Sequence, residues 1–171
     1  MNLPTLNKGQ VFSFSLKWRK NVITGLVINT SQEWTLLKYI PVDYVIDGDI
    51  LIRNKTLKKY WRDESEKFKE DVLKAKGVKL SSSLNLSIKS LDGPLKKIYK
   101  EGSLVQFESI EDDVCYVGKI IKIFSDSFCI RSMSTKGVWL NEMEYKTESI
   151  WTIQVDNDYL QSLMAYNERK K

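Results

Sequence analysis

Two stretches of this chain align with each other without a gap. Residues 9–25 read Gly-Gln-Val-Phe-Ser-Phe-Ser-Leu-Lys-Trp-Arg-Lys-Asn-Val-Ile-Thr-Gly, and residues 102–118 read Gly-Ser-Leu-Val-Gln-Phe-Glu-Ser-Ile-Glu-Asp-Asp-Val-Cys-Tyr-Val-Gly. The stretches lie 93 residues apart, and their end glycines coincide, as do Phe14 and Phe107. Similarity at a fixed spacing indicates a duplicated structural unit.

The similarity continues beyond these stretches. With a shift of one residue, Trp34 falls on Phe128 and Leu36 on Ile130. Further along, residues 47–52 resemble residues 136–141, and Leu57 aligns with Ile150. Identity is low, so a chance similarity of two β-rich stretches is the alternative. The recurring order and spacing of all the elements favours duplication.

Alternation of apolar and polar residues is the main structural signal in each copy. It begins at Phe12 and predicts a strand with one buried face. Further strands are predicted at residues 22–29, 34–40, 50–52 and 56–60, and in the second copy at 103–110, 114–124, 127–133, 138–143 and 150–155. Each copy then closes with a helix, which begins near Asp63 or near Asn157. Phe68, Val72 and Leu73 form the predicted apolar face of the first helix.

These elements predict a mainly β protein with short helices, built as two tandem small β-barrels that are each followed by a C-terminal helix. The predicted domains are residues 1–77 and 102–171, with a connector at 78–101. In the connector, Leu84 and Ile88 belong to an alternating stretch that predicts a strand. That strand either lies at the edge of one barrel or docks the two barrels together.

A meander of strongly bent strands, with a glycine in the second strand and a short last strand, resembles the Sm-like small barrel. Thr-Gly-Leu-Val-Ile at 24–28 and Trp-Thr-Leu-Leu at 34–37 carry this resemblance, with Val-Gly-Lys-Ile-Ile at 117–121 and Phe-Cys-Ile-Arg at 128–131. Together the two copies cover roughly two thirds of the chain. The resemblance implies the fold alone, and no site residue is taken from it. That family usually has a helix in front of the barrel, whereas the helices predicted here follow it.

Composition excludes most catalytic chemistry. The 171 residues are 42% hydrophobic and 29% charged and include no histidine, so histidine-based nucleophile pairs and general acid–base catalysis are excluded. Two cysteines cannot form a four-cysteine zinc site, and no phosphate-binding glycine loop is present. The carboxylate pairs Asp47 with Asp49 and Asp112 with Asp113 flank turns, where acidic residues are common. We therefore predict a non-enzymatic protein without cofactor, metal site or catalytic residue.

The expected compartment is the cytoplasm. The N-terminal residues lack the apolar run of a signal peptide, and no stretch is apolar enough for a membrane span, so no membrane association is expected. Cys115 and Cys129 lie in apolar runs typical of strands. Two buried free thiols are predicted rather than a disulfide.

Charge is unevenly distributed along the chain. Residues 1–101 carry a net charge of +8 (19 Lys and Arg, 11 Asp and Glu), whereas residues 102–171 carry −3 (8 and 11). Basic and aromatic residues interleave at two places in the first copy, as phosphate contacts combined with base stacking require. The candidate nucleic-acid-binding residues are Lys17, Trp18, Arg19, Lys20, Lys58, Lys59, Trp61 and Arg62. The alternative is a solvated barrel rim whose aromatic side chains turn inward.

Two functions from different classes follow. The first is binding of RNA or single-stranded nucleic acid through the basic first barrel. The second is a protein-interaction module, an adaptor or inhibitor that uses the seam between the barrels or its faces of opposite charge, with a partner or a second copy of the chain. The oligomeric state stays open.

Overall fold

A computed structural model describes residues 6–17, 19–82, 84, 88–110 and 114–169. Within these residues the chain is mainly β, with ten strands whose pairings are antiparallel, three α-helices and two short 3₁₀ turns. None of the three helices combines the length and the apolar character needed to span a membrane. The chain divides into two compact units, unit 1 (Met1–Ser90) and unit 2 (Leu91–Lys171).

Unit 1 contains five strands and a closing helix. They are β1 (Val11–Leu16), β2 (Ile23–Thr30), β3 (Trp34–Tyr39), β4 (Asp49–Arg53), a 3₁₀ turn (Asn54–Thr56), β5 (Leu57–Trp61) and α1 (Glu64–Ala75). The strand order is β5-β1-β2-β3-β4.

Unit 2 repeats this series after an additional helix. Its elements are α2 (Asp92–Glu101), β6 (Leu104–Ser109), β7 (Cys115–Ile123), β8 (Ser127–Met133), β9 (Trp139–Lys146), a 3₁₀ turn (Thr147–Ser149), β10 (Ile150–Val155) and α3 (Asp158–Glu168). The strand order is β10-β6-β7-β8-β9, which is the order of unit 1. Sequence reasoning missed α2, which places a helix in front of the second set of strands.

The spacing of 93 residues persists in the strand register. Gly25 in β2 lies opposite Phe12 and Tyr39, and Gly118 in β7 lies opposite the residues 93 positions after those two. A Cβ atom on Gly25 would come within 2.8 Å of the carbonyl oxygen of Lys38, and one on Gly118 within 2.5 Å of that of Arg131. These distances are shorter than real Cβ contacts, so only glycine fits where the third strand crosses so closely.

The irregularities of the sheets also repeat. The β2–β3 register shifts at Ile28, and the β7–β8 register shifts at Ile121, 93 residues later. Another bulge lies in the last strand of each unit, at Lys58 in unit 1 and at Trp151 in unit 2. Bulges bend a strand and increase its twist, so both units are curved at the same places.

The register does not support the one-residue shift that matches Trp34 with Phe128. Thr35 lies opposite Thr30, and Phe128 lies opposite Ile123, so the spacing of 93 residues continues through β3 and β8. Phe128 therefore corresponds to Thr35. Because a shift of one residue moves a side chain to the other face of a strand, the predicted match was wrong there.

Each unit has a core between its strands. In unit 1, Phe14 and Leu37 are fully buried in a cluster of mostly aliphatic side chains. In unit 2 the corresponding core is aromatic: the ring of Phe107 lies 5.5 Å from that of Phe128 and 4.9 Å from that of Tyr145. Edge-to-face geometry of this kind adds to the stabilisation from burial.

The two closing helices dock differently. In α1 the buried residues are Glu66, Glu70 and Leu73, whereas Phe68 is 59% exposed and contacts Tyr44, so the predicted apolar face was wrong at Phe68. In α3 the buried residues are leucines 160 and 163. The first helix therefore docks largely through carboxylates and the second through aliphatic side chains.

The structure confirms the mainly β class, but the described strands do not close into a barrel by pairing. In each unit, the first and the last strand of the order are not paired with each other. The predicted connector strand includes residues 85–87, which lie outside the described residues, and Leu84 lies in a turn. Cys115 and Cys129 are free, as predicted, but Cys115 is exposed and Cys129 is only partly buried.

Replacement of Gly25 or Gly118 by alanine is expected to destabilise the protein by about 1–3 kcal/mol, because the added methyl group clashes with backbone atoms that can move only at a high energetic cost. Gly118→Ala should cost more than Gly25→Ala, since its Cβ contact is shorter. Urea denaturation followed by tryptophan fluorescence measures both. Gly77→Ala is the comparison, because Gly77 has a positive φ but no atom within 4 Å of the added carbon. Equal stability of Gly118→Ala and wild type would contradict the close-approach argument.

Candidate nucleic-acid interface

The end of β1 and the beginning of β5 bring several basic residues together. Leu16 pairs with Leu57 at this end of the two strands. The next residue, Lys17, donates its backbone N–H to the carbonyl oxygen of Thr56 at 2.9 Å and its Nζ to that of Lys55 at 2.7 Å. The 3₁₀ turn before β5 therefore fixes Lys17 beside the lysines of β5.

The bulge in β5 exposes two further lysines. Lys58 has no partner in the register and Lys59 pairs with Ser15, and both side chains are exposed. The Nζ of Lys59 lies 5.3 Å from the ring centroid of Trp61, a cation–π contact. We call Lys17, Lys55, Lys58 and Lys59, with Trp61, the basic surface.

Arg62 has a structural role that sequence reasoning did not anticipate. Its guanidinium donates two hydrogen bonds to Oε2 of Glu70, at 2.8 Å and 3.2 Å. Lys74 forms an ion pair with the other carboxylate oxygen at 2.6 Å, and the backbone N–H of Val11 donates to Oε2 at 3.2 Å. Arg62 is thus part of the contact that holds α1 against β1.

Glu66 provides the second polar attachment of α1. Its Oε1 accepts a hydrogen bond of 2.6 Å from the hydroxyl of Ser13 in β1. Its Oε2 accepts the backbone N–H of Asp63, which completes a capping box at the start of the helix. Buried carboxylates are tolerated here because each oxygen of Glu66 and Glu70 accepts at least one hydrogen bond.

The remaining predicted site residues lie in the β1–β2 loop. Arg19 is partly exposed and Lys20 is exposed, while Trp18 lies outside the described residues. Among the described residues, Lys17, Lys20, Lys58 and Lys59 form no ion pair with an acidic side chain. The predicted Asp112–Asp113 pair is also outside the described part of the chain.

A polar cleft lies at the β2–β3 turn, and sequence reasoning missed it. Asn54, the first residue of the 3₁₀ turn, donates hydrogen bonds from Nδ2 to the carbonyl oxygens of Ser31 and Gln32. The β2–β3 turn and Lys89 line a cleft of about 510 Å³ there. The run Thr-Ser-Gln-Glu at 30–33 is typical of a polar turn, and its contact with residue 54 is not visible in the sequence.

Arg53 completes this end of unit 1. Its guanidinium carbon lies 4.5 Å from the centroid of the Trp34 ring, which is fully buried. Both the arginine and the tryptophan are therefore used in packing. Among the described residues, no group of three or more histidine, cysteine or carboxylate side chains could hold a metal ion.

Comparison with known proteins gave no match: no family model, no curated protein and no solved structure matches this chain.

The Arg62–Glu70 contact predicts a pH dependence of stability. Burial raises the pKa of Glu70, but hydrogen bonds from Lys74, Arg62 and the Val11 N–H outweigh it, so the pKa lies below its ordinary value. The stability that ionised Glu70 contributes to the fold is present above the unfolded pKa of about 4.3, and it is lost as the pH falls through the lower pKa of the folded state. Urea denaturation at pH values between 7 and 3 should show this loss of stability. The Glu70→Gln variant should lose less stability than wild type over the same pH range.

Arg62→Ala is expected to destabilise the protein by about 2 kcal/mol at pH 7, since it removes charge-assisted hydrogen bonds from a buried carboxylate. Lys67→Ala is the control, because its ion pair with Glu64 is exposed and contributes about 0.5 kcal/mol or less. Unchanged stability of Arg62→Ala, measured by the same denaturation, would contradict a structural role.

Proposed function

We propose that this chain is a non-enzymatic protein that binds single-stranded nucleic acid, RNA in particular, through the basic surface of unit 1. The observation that carries the proposal is the convergence of lysines on the 3₁₀ turn and β5. Lys17, Lys58 and Lys59 form no ion pair with a described acidic side chain, so phosphates can be their counter-ions. Phosphate contacts of this kind supply most of the affinity of non-specific nucleic-acid binding.

The neighbouring groups suit a single strand rather than a duplex. Trp61 is partly exposed beside Lys59 and offers a ring for base stacking. The polar cleft at the β2–β3 turn adds hydroxyl and amide groups, with Lys89 in its lining. A stacking ring, a row of cations and a polar cleft are the features that unstacked bases and their phosphates require.

We further propose that each unit is a Sm-like small barrel. Support comes from the shared strand order, from the glycine in the second strand of each unit, and from the equivalent bulges at Lys58 and Trp151. The helix α2 in front of the strands of unit 2 removes one difference from that family, which usually has a helix there.

The nucleic-acid proposal predicts a selective effect of charge reversal. Lys58→Glu with Lys59→Glu should weaken binding of a fluorescent single-stranded RNA pool at least tenfold at low ionic strength. It should also lower the slope of log K against log salt by about 0.7 for each phosphate that the variant no longer neutralises. Fluorescence anisotropy across a salt series measures both quantities.

The matched control reverses two exposed lysines of unit 2, Lys100→Glu with Lys136→Glu, which changes the net charge equally. It should leave the affinity within about twofold of wild type, since these lysines lie outside the basic surface. If both double variants weaken binding equally, the effect is one of net charge, and the proposed surface is wrong. Undetectable binding by the wild type would also contradict the proposal.

A second candidate function, association with a second copy of the chain, is favoured by one observation in unit 2. The strand β9 lies at the end of the strand order, and its residues Leu140 and Met143 are 50% and 46% exposed. Glu142 and Glu144 are exposed on the same strand, opposite in charge to Lys58 and Lys59 of β5. An exposed apolar end strand is a template for pairing with another strand.

Self-association through β9 predicts a mass by light scattering that exceeds the monomer's at high protein concentration and falls with dilution. Leu140→Lys with Met143→Lys should leave a monomer, because charged side chains on an end strand oppose pairing. Lys100→Glu serves as a control that should not change the mass. A monomeric wild type at every concentration would eliminate this candidate.

A further inference from the structure

Two strands, one in each unit, lie at an end of their strand order and carry exposed charges of opposite sign. The first strand in the order of unit 1 is β5, and its described partner is β1. The last strand in the order of unit 2 is β9, and its described partner is β8. Lys58 and Lys59 are exposed on β5, and Glu142 and Glu144 are exposed on β9. End strands have backbone groups that can pair with a further strand.

The two glutamates give one face of β9 a negative charge. They alternate along the strand, so their side chains lie on the same face, about 7 Å apart. Burial raises the pKa of the Cys129 thiol on β8, and Glu144 and Glu142 raise it further, whereas Lys122 lowers it. The carboxylates therefore set the sign of the electrostatic potential beside Cys129.

The charged groups of both strands can take a further partner. Among the described residues, Glu142 forms no hydrogen bond or ion pair, and Glu144 accepts one hydrogen bond, from Ser127, through Oε1. Lys58 and Lys59 form no ion pair with a described acidic side chain. Ion pairs between β5 and β9 would therefore break no ion pair within the part of the chain that the structure describes.

The order of residues along the two strands favours antiparallel pairing. Trp61 follows the two lysines of β5, and Leu140 precedes the two glutamates of β9. When the lysines lie opposite the glutamates, an antiparallel arrangement brings Leu140, which is 50% exposed, towards the partly exposed Trp61. A parallel arrangement would bring Leu140 towards Leu57, which is buried. Antiparallel pairing therefore adds an apolar contact to the ion pairs.

We propose that β9 of a second copy of the chain pairs antiparallel with β5, covers the basic surface and thereby excludes nucleic acid from it. The inference rests on both functions proposed above, because the basic surface is the nucleic-acid site and β9 is the strand through which copies associate. The two glutamates take the place of phosphates against the lysines, and Leu140 takes the place of a base against Trp61. Self-association and nucleic-acid binding are then alternatives, and each lowers the apparent affinity of the other.

Charge reversal on each strand tests the pairing by light scattering, at a concentration where the wild type associates. Lys58→Glu with Lys59→Glu (the β5 variant) and Glu142→Lys with Glu144→Lys (the β9 variant) should each be monomeric, because like charges then lie opposite each other. All four side chains are exposed, so the substitutions should not disturb folding. An equimolar mixture of the two variants should associate again, since the reversed charges are complementary.

Three outcomes would overturn the pairing of β9 with β5. The first is a β5 variant that associates as the wild type does, which would show that β9 uses another partner strand. The second is a mixture of the two variants that stays monomeric. The third is a wild type that is monomeric at every concentration.

The β5 variant also tests the exclusion of nucleic acid, because it keeps the acidic β9 but lacks the basic surface. When it is added in excess to wild type bound to a trace of fluorescent single-stranded RNA, it should displace the RNA and lower the fluorescence anisotropy. The matched control is the β5 variant with Glu142→Gln and Glu144→Gln. About tenfold more of this control should be needed for the same displacement, because its β9 has lost both charges.

Equal displacement by the two proteins, or no displacement by the β5 variant, would overturn the exclusion. A wild type that binds no RNA would overturn the exclusion together with the proposed nucleic-acid function. Light scattering of the mixed variants uses no RNA, so it decides the pairing of β9 with β5 independently of that function.

Discussion

The close approach of the third strand to the second strand is the constraint on which both units depend. The carbonyl oxygens of Lys38 and Arg131 lie within 2.8 Å and 2.5 Å of the positions that a Cβ would take on Gly25 and Gly118, so the second strand can bend over the core only with glycine at that position. The bulges in each unit follow from the same curvature, because strands that curve strongly cannot keep a regular ladder along their whole length. The core side chains, Phe14 and its counterpart in unit 2, fill the concave face that results.

The two units share this framework but differ in the side chains that they expose to solvent. The bulge in the last strand carries Lys58 in unit 1 and Trp151 in unit 2, and the first is exposed while the second is buried. The same backbone position can thus present a cation or contribute to packing. The proposed nucleic-acid surface belongs to unit 1, so duplicated structure need not mean duplicated binding.

Much of the framework could be predicted because alternation and turn residues are local signals. The predicted bounds of β8 and β10, residues 127–133 and 150–155, agree with the structure. The helix α2 was missed because the motif Asp92-Gly93-Pro94 consists of residues that are typical of turns. Proline is compatible with the first turn of a helix, where N–H groups have no partner within the helix, so the motif begins α2 instead.

The candidate site was predictable in part, since the lysines of β5 stand out in the sequence by their density. In the sequence Arg62 belongs to the same basic cluster, and only the fold shows that Glu70 lies within hydrogen-bonding distance of it. The same contact explains why the apolar face of α1 was predicted wrongly, because a carboxylate that accepts several hydrogen bonds can be buried in place of Phe68. Long-range partners of this kind leave no periodic signal.

The different attachment of the two closing helices has a thermodynamic consequence. The leucines of α3 dock through the hydrophobic effect, whose stabilisation weakens on cooling. In α1, the carboxylate of Glu70 instead forms an ion pair with Arg62, whose desolvation cost falls as the temperature rises. The attachment of α1 also responds to pH, through Glu70. Temperature and pH therefore affect the two closing helices differently. Cooling can loosen α3 while α1 stays in place, and acidification can loosen α1 while α3 stays in place.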